Sequence, residues 1–331
     1  MFEMIMNALV RLARPAYRAL CRRSRIAAAA QDCHLIVRTS RCMAQRESYS
    51  DLTGVVFSMD RAMQLHALLG SYRDQVLNGP KLTVIYRVTS DSHSRSYDDV
   101  FAEFEDLIQI AIKQVTRESF RDILIDTLCR TQTKHVFFLV DDNLFIEPVD
   151  LGKLAAHATS FSIPSLRLGE NLRRSYTLQK AQNRPPFVEY SLQSGHAKSP
   201  TDLLSWCWNS GELDWGYPLS VDGHIFQRQE ILAMAESIEF DSPNTFEGNL
   251  QHFNTAYQWR AGICFRKSRL INIPYNRVQT DYENIHGEMH QDEMLARWHD
   301  GYRIDRNSYY GVVNDSAHQE MPLRLIKDEL K

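Results

Sequence analysis

His135-Val136-Phe137-Phe138-Leu139-Val140-Asp141-Asp142-Asn143 is the stretch that decides the fold. After His135 every residue up to Val140 is apolar, so a strand here is covered on both faces, as in the centre of a parallel sheet. Two carboxylates then mark where it leaves the core. Upstream, Gly54-Val55-Val56-Phe57-Ser58 reads as a short buried strand. Apolar Ala62, Leu65, Leu68 and Leu69 predict a helix from Asp60 to Leu69. Leu82 to Val88, rich in β-branched and aromatic residues, predicts a second strand. Residues 97–115 place Val100, Phe101, Phe104, Leu107, Ile108, Ala111 and Ile112 on one helical face, and a further helix covers about 118–130.

The order strand, helix, strand, helix, helix, strand implies an open α/β sheet with right-handed crossovers. Ligands of such sheets sit outside the carboxyl ends of the strands. That rule selects Ser58–Arg61, Arg87–Ser90 and Asp141–Asn143. Beyond residue 150 the pattern is mixed, with helix signals at 148–158, 227–237 and 290–300. Strand-like runs fall at 160–167, 204–208, 217–226, 262–266 and 269–274, and Asn183–Pro200 reads as a mobile loop.

Adjacent carboxylates at the rim of an apolar sheet repel one another unless something positive lies near them. A hard divalent cation meets that need, since Mg²⁺ or Mn²⁺ takes oxygen from one or two carboxylates plus substrate phosphates. Such an ion would neutralise a departing diphosphate. The competing reading is structural: Asp141 and Asp142 cap a turn.

The segment ending in Asp141-Asp142-Asn143 resembles the DxD region of GT-A glycosyltransferases, and Val55-Val56-Phe57-Ser58-Met59-Asp60-Arg61 resembles their opening strand and helix. Later segments resemble a bacterial, family-2-like branch that builds surface polysaccharide. They are Ser165-Leu166-Arg167-Leu168-Gly169, Leu219-Ser220-Val221-Asp222-Gly223-His224, Ser242-Pro243-Asn244-Thr245-Phe246-Glu247 and the run from Asn272 to Gln279. The resemblance spans about 54–305. It implies a GT-A-type, Rossmann-like open sheet with a mixed α+β acceptor-side half. Residues 51–150 would then hold a nucleotide sugar and 151–331 the acceptor, within one domain that follows an N-terminal segment over 1–50.

By position, Ser58, Asp60 and Arg61 would meet the nucleotide, while Arg87, at a strand end, would either pair with phosphate or form a surface salt bridge. Asp141 would meet the ribose or metal, and Asp142 the metal and diphosphate. Asn143 stands where the family carries its usual acidic ligand, so the Mn²⁺ or Mg²⁺ set would be Asp141, Asp142 and Asn143, with a late histidine, His286 or His290. Glu247 falls where an inverting enzyme places its general base, and Asp222 is the second candidate. Each has a plain alternative, Glu247 as a helix-start acid and Asp222 as part of a tight turn. Trp206, Trp208, Trp215 and Tyr217 either wall a sugar site or pack the core.

A net charge of -3 gives no reason to expect a nucleic-acid partner. The first fifty residues differ, with nine Arg, no Lys and three acidic residues. Arg11, Arg14, Arg18, Arg22 and Arg25 share one helical face opposite Phe2, Ile5, Leu9, Leu12, Ala16 and Leu20, with Pro15 as a break. This basic amphipathic helix suits an anionic membrane surface, a transit peptide or packing on the catalytic domain. Six cysteines without C-x-x-C spacing suit reduced thiols in a cytoplasmic protein. The expected function is metal-dependent transfer of a sugar from a nucleotide sugar to a glycan or lipid-linked saccharide. A nucleotidyltransferase, disfavoured because Ser58–Arg61 has no glycine, and an inactive carbohydrate-binding homologue are the competitors.

Overall fold

Alternation along the strands builds the central sheet, as seen in a computed structural model that describes residues 51–190, 202–276 and 289–327. β1 (Leu52–Met59), β2 (Leu82–Arg87), β3 (Ile108–Lys113) and β4 (His135–Val140) run parallel. Intervening helices are α1 (Ala62–Gln75), α2 (Asp91–Glu103) and α3 (Ser119–Arg130). In β4, Phe137 and Leu139 join Val56 and Val84 in a core cluster beneath α1 and α2. Val136 and Phe138 face the other way and join Val55, Phe57 and Ile85 in a second cluster with α3. Two buried faces are why this strand reads as a continuous apolar run.

The chain builds the sheet outward from β1 through β2 to β3, then returns to lay β4 on the other side of β1. The crevice of an open sheet lies at such a reversal. Asp141 stands directly on it, its N–H donating to the Phe57 carbonyl at 3.1 Å. A short antiparallel strand, β9 (Ile225–Gln227), completes the edge beside β4.

The rest of the described chain forms a mixed half. β5 (Asn143–Phe145) pairs with β11 (Leu270–Asn272). A second sheet orders β7 (Val188–Glu189), β8 (Leu203–Cys207), β10 (Ala261–Phe265) and β6 (Ser162–Gly169). α4 (Arg228–Ser237) follows β9, and α5 (Pro243–Leu250) begins at a capping box in which Ser242 and Thr245 bond reciprocally. α6 (Gln291–His299) packs near α1 and α2. No helix among the described residues is long and apolar enough to cross a membrane.

Several elements differ from the sequence expectation. The helix expected over 97–115 is a helix that stops at Glu103 and a separate strand, β3. Ile108 and Ile112 satisfy helical spacing, but Ile108, Ile110 and Ile112 also alternate, and pairing with β2 settles the matter. Only Ile225 and Phe226 of the 217–226 run are strand, and only Leu151–Ala155 of 148–158 is helix. Trp206, Trp208 and Trp215 pack the core, fully buried, rather than walling a sugar site. A Cβ at Gly262 would lie 2.3 Å from the Trp206 ring, so the backbone of β10 passes under that indole only as glycine. Cys264 is a buried free thiol and Cys129 an exposed one, while the buried Cys207 thiol donates to the Gln258 carbonyl at 3.4 Å. The basic helix and linker of residues 1–50 and most of the Asn183–Pro200 loop lie outside the described residues.

Candidate active site

A cavity of about 680 Å³ opens at the carboxyl ends of the parallel strands. From the sheet side it is lined by Ser58, Arg61, Arg87, Asp141 and Asp142. From the second half come Arg167, Tyr217, Asp222, Glu247 and His318. The structure therefore brings most of the sequence-selected residues to one place.

Asp141 and Asp142 are clasped by Arg61. Nη1 of Arg61 donates to Asp141 Oδ1 at 3.0 Å and to Asp142 Oδ2 at 2.9 Å, while Nη2 donates to the Asn276 carbonyl. The remaining oxygens are also in use. Asp141 Oδ2 accepts from Ser58 Oγ at 2.8 Å and from the Met59 N–H at 3.1 Å, and Asp142 Oδ1 accepts from Asn272 Nδ2 at 3.0 Å. Burial pushes the Asp141 carboxyl up to about 6, against the pull of Arg61 and with repulsion from Asp142 adding to it. For Arg61 burial acts downward, but the two carboxylates outweigh it and hold the guanidinium above its ordinary value. The positive partner that adjacent acids require is thus a side chain of the protein itself.

Asn143 and Asp60 are corrections. Asn143 was expected among the metal ligands, yet it is buried beneath the cavity with both ends of its amide engaged. Oδ1 accepts from the Val140 N–H at 2.9 Å, and Nδ2 donates to Asp222 Oδ1. Asp60 was expected at the nucleotide but turns away from the cavity, and its carboxylate accepts from the Thr89 N–H at 2.9 Å and Thr89 Oγ1 at 2.8 Å. It holds the β1 and β2 end loops together, from a left-handed backbone at φ 53°.

Asp222 Oδ2 lies 3.3 Å from Arg167 Nη1 and 3.4 Å from His318 Nε2. Arg167 also bonds Asp214 at 3.1 Å. Glu247, partly buried on α5, accepts from the Val221 N–H at 2.7 Å and from Ser220 Oγ at 3.3 Å through the same oxygen, Oε2. Burial raises its pKa, Arg167 opposing. His286 lies outside the described residues. His290 is exposed and caps α6, accepting from the Asp292 N–H at 3.2 Å. The late histidine at the described part of the cavity is His318.

At the other end, Phe57, Ile85 and Phe120 provide apolar wall beside Arg87 and Gln114. Both donor contacts of Gln114 Nε2 go to backbone, to Thr116 at 2.9 Å and Arg117 at 3.1 Å, which leaves Oε1 as an acceptor. Arg87 forms no ion pair among the described residues. Arg167 had a sequence signal, a lone charge between Leu166 and Leu168 in an apolar run. Gln114 and His318 had none, because they reach the cavity from loops.

The sequence resemblance implies a divalent ion, and the donor atoms test that. Among the described residues no three His, Cys, Asp or Glu side chains converge to hold a metal. With all four oxygens of the acid pair already engaged and Asn143 turned away, these residues do not fit a preformed ion site.

The strand order and its crevice define the class: a Rossmann-like open-sheet α/β protein with its cavity at the switch point. Among solved structures it is similar to S. aureus TarS, with TM-score 0.40 and 11% identity, covering 75% of this chain and 38% of that one. It is also similar to the mannosyltransferase PcManGT from Pyrobaculum calidifontis, solved with GDP-Man and Mn²⁺, with TM-score 0.29 and 15% identity, covering 44% and 49%. The matched parts span less than half the length of either protein. No family model and no curated protein matches the chain.

Proposed function

We propose that this chain is a glycosyltransferase that moves a sugar from a nucleotide-sugar donor to a glycan or lipid-linked saccharide acceptor. The observation that carries the reading is the convergence of Arg61, Arg87, Asp141 and Asp142 with Asp222 and Glu247 on one switch-point cavity. Its volume, about 680 Å³, is in the range of cofactor and ligand clefts. The nucleoside takes the apolar end beside Gln114, with Arg87 meeting the diphosphate as a charge-assisted donor. Tyr217 and His318 face the acceptor end.

In the reaction the acceptor hydroxyl oxygen bonds to the anomeric carbon as the carbon–oxygen bond to the diphosphate breaks. The hydroxyl proton passes to Glu247, and the nucleoside diphosphate leaves. A carboxylate raised by burial is a better proton acceptor than an exposed one, which suits Glu247 to that role. Asp222 positions Arg167 and His318.

A panel of UDP-, GDP-, dTDP- and CMP-sugars, read by thermal shift and followed by transfer assays on glycan acceptors, tests the reading. One donor should raise the melting temperature by mass action and support turnover. Absence of any shift across the panel, with and without divalent ions, would remove the reading. Residues 1–25 are proposed to hold the enzyme on the anionic inner face of a membrane. Their deletion should release it from phosphatidylserine vesicles while activity on a soluble acceptor persists.

A further inference from the structure

We propose that Arg61 fills the cation position of the carboxylate pair, so that the free protein holds no divalent ion and the donor nucleotide binds without one. This rests on the nucleotide-sugar reading above and concerns the charge logic of the same cavity.

The geometry supplies the argument. One nitrogen, Arg61 Nη1, bridges the two acids at 3.0 and 2.9 Å, the shared contact a metal ion would make. The guanidinium side chain is only 10% exposed, and its other terminal nitrogen is fixed on the Asn276 carbonyl. Its Nε is buried without a partner among the described residues, so within them the group relies on these contacts for nearly all its compensation. An entering ion must take oxygens from Arg61, and that would strand a buried guanidinium, which is strongly unfavourable. The third position offers no relief, because Asn143 Oδ1 is held by the Val140 N–H. Diphosphate charge is met by Arg87, the cavity guanidinium that forms no ion pair among the described residues.

The inference separates wild type from Arg61 variants in opposite directions. In wild-type protein, Mn²⁺ alone should give no thermal shift and no calorimetric binding. The shift given by UDP, GDP or whichever nucleotide binds should stay within about twofold in apparent affinity between EDTA and Mn²⁺. Arg61→Ala should weaken nucleotide binding by about tenfold or more in EDTA, and should gain Mn²⁺ binding at the uncovered acids. Arg61→Lys, which keeps the charge but not the bridging fork, should lie between. If Arg61→Ala does not fold, the wild-type and Lys measurements decide. Nucleotide binding by wild type that vanishes in EDTA and returns with Mn²⁺ overturns the inference while leaving the glycosyltransferase reading standing. Binding of no nucleotide under either condition overturns both.

Discussion

Asn143 donates its side-chain amide to the carboxylate of Asp222, 79 residues further along the chain. The turn that carries the acid pair is thereby tied, below the cavity floor, to the turn between Tyr217 and His224 on the other half. Asn143→Asp, which would seem to complete a metal motif, instead sets two buried carboxylates against each other. It should lose roughly 3 kcal/mol of stability in urea denaturation, the order expected for an uncompensated buried charge. Unchanged stability together with new Mn²⁺ affinity would refute this placement of the side chain.

Glu247→Gln should keep nucleotide affinity within about twofold and lose transfer by roughly 10²–10⁴-fold, the range of general-base contributions. The Gln oxygen can still accept from the Val221 N–H, so the fold should hold. Because burial raises the Glu247 pKa, wild-type turnover should fall as pH drops through a value above the ordinary carboxylate range. Steady-state kinetics on both proteins across pH checks the assignment, and a variant with full turnover would end it.

Gln114→Ala removes the acceptor left over after its amide hydrogens bond Thr116 and Arg117. Nucleoside diphosphate affinity should drop about tenfold, the value of one hydrogen bond to a polar partner, while inorganic pyrophosphate binds as before. Equal loss for both ligands in calorimetry would place the base elsewhere.

His224 is fully buried, and its Nδ1–H donates to the Pro218 carbonyl at 3.0 Å. Burial first, and Arg167 second, push its pKa down to about 3 from 6.5. The folded form therefore stays neutral where the unfolded chain takes up a proton. Its contribution is complete above about pH 6.5 and is lost as pH falls toward 3, at up to roughly 1.4 kcal/mol per unit. The pH dependence of stability in His224→Gln should be flatter over that window; parallel curves would contradict it.

Much of the open-sheet half is legible in the chain. Val136–Val140 announced a strand covered on both sides, and the rule that open sheets bind at their carboxyl ends led directly to Ser58, Arg61, Arg87 and Asp141. Asp60 is not decided by the sequence, because a carboxylate beside the crevice looks the same there whether it faces a ligand or braces Thr89. The 97–115 segment was misread because isoleucines four apart satisfy both a helix and a strand, and only the neighbouring β2 selects between them.

Sequence by itself determined the local periodicities, the strand that ends in two acids and the uneven charge of the first fifty residues, since these depend only on neighbours along the chain. Tertiary structure decided which cation those acids meet, where the Asn143 amide points, and that Glu247 and His318 share a cavity with Asp141. Those are contacts between residues many tens of positions apart, fixed by how sheet and second half pack, and no local pattern encodes them.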